Sequence, residues 1–135
     1  IADLLLGGTT TLVDQYFFPE MTAEAVDRSG LRALLTFPVI DVETAWARDA
    51  ESCINNGLAL RDRYRDHDRI DVGFGPHSTY MVSEQTLSRV AVLADELDAP
   101  IQIHLHETRW WCTPLKSKAI MSASLPTSIL PKRSC

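Results

Sequence analysis

No run of apolar residues in the chain approaches the ~18–20 that a membrane-spanning helix needs. The opening IADLLLGGTT has no basic residue and no small-residue cleavage pattern, so no secretory signal is expected. It also lacks an initiator Met and reads as a helix already under way, so the chain is expected to begin inside a domain. Cysteine is scarce: Cys53, Cys112 and Cys135 are odd in number and show no CxxC spacing. That excludes a disulfide framework or a thiolate zinc site, and a reducing cytoplasm is the expected compartment. Lysine is missing before Lys116 and acid is missing after Glu107. Residues 1–107 therefore hold eight bases, all Arg, against eighteen acids, a net −10, while residues 108–135 carry +5. An acidic body excludes a nucleic-acid partner, which wants a basic surface. It also sets 1–108 apart from 109–135.

What is present is ordinary for one soluble domain: 135 residues, 45% hydrophobic and 23% charged. Helical and strand patterns alternate along the body. Ile1–Leu6 reads as a helix end stopped by Gly7 and Gly8, and Thr9–Asp14 as a β-branched strand. Thr22 is the expected N-cap of a helix running to about Ser29, with Gly30 as its stop. Leu31–Phe37 is a strand ended by Pro38, and a helix comes next, from about Thr44 or Arg48 to Tyr64. Ile70–Gly75 is the third strand. Ser83 opens a helix whose Leu87, Val90, Leu93, Ala94 and Leu97 recur at helical spacing, and Ala99–His106 is the fourth strand.

Strand, helix, strand, helix at this spacing means parallel β/α units. Four of them make about half of a (β/α)8 barrel, which typically needs ~250 residues. A four-stranded open sheet with helices on both faces fits the length equally well. The stretch 109–135 breaks the pattern, with three Pro, scattered Ser and two adjacent Trp. Translation in a shifted reading frame is the expected origin; a basic arm for an anionic surface is the alternative.

The fourth strand ends in IQIHLHET. Period two puts Ile101, Ile103 and Leu105 on one face and Gln102, His104 and His106 on the other. In a barrel the polar face points inward, and a His at a strand's C-terminal end stands where barrel chemistry occurs. Imidazole suits zinc, and a carboxylate one step later can move protons for a metal-bound water. His77, two residues past the third strand, reaches the same mouth. The same residues also fit satisfied or surface histidines beside a helix-start Glu. Ser83 is read as a cap, since no G-x-S-x-G elbow surrounds it. Gly7-Gly8 precedes a strand and is no phosphate loop. Asp14, Glu20 and Arg48 lie on the same side and also suit caps or solvated charges.

Four segments, GTTTLVDQYFFPE (Gly8–Glu20), LRALLTFPVID (Leu31–Asp41), GFGPHSTYMVSE (Gly73–Glu84) and IQIHLHET (Ile101–Thr108), resemble the amidohydrolase superfamily in order and spacing. They look most like its 5-methylthioadenosine/S-adenosylhomocysteine deaminase branch; related guanine or cytosine deaminases and triazine hydrolases share much of the pattern. The resemblance covers about residues 1–108. It implies a partial (β/α)8 TIM barrel of metal-dependent hydrolase type, about four β/α units, corresponding to strands two to five. It further implies one divalent metal, zinc by preference, activating water to attack C6 of an adenine ring and release ammonia from a purine nucleoside. By motif, His104 resembles the metal ligand, Glu107 the proton-shuttling glutamate and His77 the substrate-contacting histidine. Arg48 falls near a substrate-binding Arg of some relatives. His106 occupies a variable position and is left out of the metal site.

The family's HxH pair on strand one and its later His and Asp ligands have no counterpart in these residues. One His cannot build a three-ligand catalytic zinc site. The chain alone is therefore expected to be inactive, and its open arc suits a homo-oligomer. The competing reading is a non-catalytic α/β module.

Overall fold

A computed structural model describes residues 1–105. The elements, in order, are α1 (Ala2–Leu6), β1 (Thr11–Asp14), α2 (Pro19–Ser29), β2 (Arg32–Val39), α3 (Ala50–Arg63), β3 (Ile70–Pro76) and α4 (Glu84–Glu96). The three strands form one parallel sheet in the order β1-β2-β3. Ala33, Leu35, Phe37 and Val39 of β2 and Ile70, Val72 and Phe74 of β3 share one face. They are buried there with Ala23 and Val26 of α2, Cys53, Ile54 and Leu60 of α3, and Val90 and Ala94 of α4. All three long helices thus cover one face, which is a barrel's arrangement and not that of a doubly wound sheet. Phe37 and Phe74 meet at its centre, ring centroids 4.8 Å apart. Gly57 lets α3 settle on them: a Cβ there would overlap the Phe37 ring.

Several boundaries differ from the sequence expectation, each for a local reason. Helix α2 begins at Pro19, not after Thr22, because Pro at the first helical position needs no N–H partner. Thr22 instead gives its hydroxyl to Asp14 Oδ2 at 3.2 Å. Helix α3 starts at Ala50 because the Thr44 hydroxyl is committed to a turn, accepting from the N–H groups of Trp46 and Ala47. Asp49 and Ser52 then form a capping box. The Ser52 hydroxyl and N–H hold the Asp49 carboxyl below its ordinary value, with the Arg48 charge adding to them. Ser83 does cap α4, accepting from the Thr86 N–H.

Strand β2 runs through Pro38 to Val39. Donors along β2 alternate: Arg32 N–H goes to Thr10 of the β1 side and Ala33 N–H to Arg69 of the β3 side. By that alternation the missing N–H of Pro38 faces β1, whose ladder has already stopped at Asp14 opposite Leu35. Proline is harmless where no partner strand remains.

The expected fourth strand is a correction of a different kind. Among the described residues only two isolated parallel bridges join this segment to β3 and the turn after it, Phe74↔Ile101 and Ser78↔His104. Phe74 N–H donates to Pro100 O at 2.9 Å, and Gln102 N–H donates to Phe74 O at 2.9 Å. The ladder's next donors on either side would be Pro100 and Pro76, and neither has an N–H. Arg61 supplies the substitute on one side, its Nη1 donating to Val72 O at 2.6 Å. On the other side the register slips. Four steps along β3 and the turn after it, Phe74 to Ser78, face three steps from Ile101 to His104.

Candidate functional site

That slip sets the geometry of the site. With one extra residue on the β3 side, the chain bends as at a β-bulge and re-aims the side chains beyond it. His104 N–H then donates to His77 O at 3.3 Å, and the two imidazoles stand edge to face, centroids 5.5 Å apart. His77 is half-buried and His104 exposed. The His77 backbone is held on its other side by its N–H to Val39 O at 3.1 Å. Tyr80 also meets the His77 ring edge to face, 6.3 Å centroid to centroid. His77 Nδ1 is buried without a hydrogen-bond partner among the described residues.

Beneath this pair the inner face of the arc is polar where the strands end. Thr36 is fully buried, its hydroxyl 3.1 Å from Asp14 O and 3.0 Å from Gln102 Oε1. Gln15 Nε2 donates to Gly75 O at 3.0 Å and reaches Pro76 O at 3.5 Å. Gly73 and Gly75 allow neighbouring backbone to come close here: a Cβ at Gly73 would overlap Pro100, and one at Gly75 would come within 2.9 Å of Phe37 O.

The other sequence candidates are dispersed. Arg48 is exposed in the loop after β2 and makes no hydrogen bond or ion pair with any described residue. It shares the rim with the two histidines without touching them. Glu20 accepts from Trp46 Nε1 at 3.2 Å, and Asp14 faces Thr22. Glu107, His106 and the stretch 109–135 lie outside the described residues. Sequence reasoning passed over Gln15 and Asp41. Asp41 ties the rim loops together, accepting Ser83 N–H at 2.6 Å and Thr86 Oγ1 at 2.8 Å. Among the described residues no group of three His, Cys, Asp or Glu side chains could hold a metal ion. No helix among them is long and apolar enough to cross a membrane.

A parallel arc with helices on one face and histidines at the C-terminal strand ends is a segment of a (β/α)8 barrel of the metal-dependent hydrolase type. The chain belongs to the amidohydrolase family, whose model matches residues 1–124. It is 52% and 53% identical, over 108 residues, to the 5-methylthioadenosine/S-adenosylhomocysteine deaminases of Saccharophagus degradans and Teredinibacter turnerae. Each match covers 80% of this chain and 24% of the relative. A 5′-deoxyadenosine deaminase of Methanoregula boonei is 39% identical over 106 residues, 78% of this chain and 24% of that one. Among solved structures, an adenosine deaminase from Xanthomonas campestris with bound zinc superposes with a TM-score of 0.78 at 38% identity, covering 81% of this chain and 25% of that one. A guanine deaminase from C. acetobutylicum, at TM-score 0.74 and 16% identity over 92% of this chain and 33% of its own, shares the fold. The chain thus spans about a quarter of the length of the curated relatives it matches.

Proposed function

We propose that this chain is the strand-two-to-five segment of an aminohydrolase that removes the adenine amino group of 5-methylthioadenosine or S-adenosylhomocysteine. The observation that carries the reading is the side-by-side placement of His77 and His104 at the strand C-termini. The identity to two deaminases of that name supports the substrate class. A divalent ion, zinc by preference, is the implied cofactor, and when bound it would acidify a water molecule. The described residues offer it one imidazole, His104, and do not hold it by themselves. The chain's own contribution is therefore binding, orientation and the movement of a proton. His77, whose ring contacts both Tyr80 and His104 edge to face, is assigned the contact to the substrate. Arg48, exposed in the loop after β2, offers a guanidinium for the substrate's polar end. Glu107, one loop step beyond His104, is assigned the proton transfer. A cytoplasmic setting fits the free, buried Cys53. Residues 1–108 form the barrel unit in this reading, and 109–135 a separate stretch of opposite charge.

A transplant tests it. The aligned stretch of the S. degradans deaminase is replaced by residues 1–108 of this chain, and ammonia release from 5-methylthioadenosine is monitored. Retained deamination is expected, with His104→Ala and Glu107→Gln variants of the transplant each losing at least about 10²-fold. A folded, zinc-loaded transplant without activity would overturn the assignment.

A further inference from the structure

Gln15 stands just past the end of β1, sixty residues from the groups it binds. Its amide has a forced orientation, because only the NH2 end can face two carbonyls. Oε1 is consequently left buried with no partner among the described residues. A residue kept for packing alone would not strand a buried acceptor; a Met of similar length would fill the space without one. The side chain also lies across Gly75, where a Cβ would stand 3.1 Å from Gln15 Cγ. Everything Gln15 holds belongs to the two residues that lead into His77.

We propose that Gln15 is a positioning residue for His77: its carboxamide clamps the Gly75 and Pro76 carbonyls and so fixes the imidazole against His104. The clamp is needed because Pro76 interrupts the ladder toward the Ile101–His104 segment at this step. The turn into His77 is thus held by its N–H bond to Val39, by His104 and by Gln15. The role rests on the deaminase reading for its purpose but not for its geometry. The test therefore needs no turnover.

The imidazole signals of the intact 135-residue chain are assigned by long-range proton–nitrogen spectra, in the wild type and in Gln15→Met and Gln15→Glu. Both variants keep the side chain's length and remove the NH2 donor. The expected result is a shifted or doubled His77 signal, while His67 is unchanged. His67 is the internal control: it sits at the opposite end of the sheet, where Nδ1 accepts from the N–H groups of Arg69 and Ile70. An unmoved His77 in both variants overturns the proposal. So does a parallel change at His67, which would mean that Gln15 merely stabilises the sheet. Failure of the transplant to deaminate would leave this result standing, so the two readings fail separately.

Discussion

At the scale of single residues, the same substitution should act through two unrelated causes. Gly57→Ala places a methyl group into the Phe37 ring at the helix–sheet interface. An exposed helix position would gain from that change by propensity, but overpacking here should cost about 1–3 kcal/mol. Gly30→Ala meets nothing within 4 Å, yet it forces a Cβ onto a backbone at φ +76° after α2. It should cost about 1 kcal/mol through conformation alone. Urea denaturation separates them when Phe37→Leu is added. The smaller, flexible side chain should relieve Gly57→Ala and leave Gly30→Ala untouched; equal behaviour of the two would sink the distinction. The same scale shows how much of the site was legible. Strand parity alone placed His104 on the polar face, and the position of His77 after β3 put it at the same mouth. Gln15 and Asp41 were not legible because their partners lie 60 and 42 residues away, beyond the reach of any local pattern.

Among the elements, Arg61 takes a load that backbone normally bears. Its Nη1 reaches Val72 O at 2.6 Å and its Nη2 reaches Leu97 O at 2.9 Å, tying α3 to β3 and to the end of α4. The planar fork serves two carbonyls at once, which a lysine ammonium on its flexible stem does not reproduce. Arg61→Lys should therefore destabilise by about 1–2 kcal/mol through the carbonyl left unpaired. It should also raise amide exchange in α4 more than in α2. Stability equal to the wild type would show that Pro100 costs the sheet nothing. The strands and helices themselves were readable, since β-branched runs and the amphipathic stripe of α4 announce them. The length of the fourth strand was misjudged. Its sequence alternates as a strand should, and hydrophobic alternation does not register that two prolines, Pro76 and Pro100, delete the donors on either side of the single regular bridge.

For the whole molecule, the decisive fact is that an arc of a barrel has faces that closure would cover. Val13 on β1 is 59% exposed, Tyr16 just past it 68%, and Leu6 at the end of α1 88%. Among the described residues β1 carries no strand on its outer side, the arrangement that invites edge pairing. Activity is a separate matter, because the described residues hold no group of three His, Cys, Asp or Glu side chains that could bind a metal ion. With zinc added, the purified 135-residue chain should release no ammonia from 5-methylthioadenosine above background, as monomer or as oligomer. The transplant bearing residues 1–108 should turn over under the same conditions. That contrast separates an incomplete site from a wrong substrate: a silent chain beside an active transplant means that the remainder of the relative supplies what the site needs. If instead the isolated chain released ammonia and His104→Ala abolished the release, a metal site would have to be assembled from two copies. Activity proportional to the square of chain concentration would identify it.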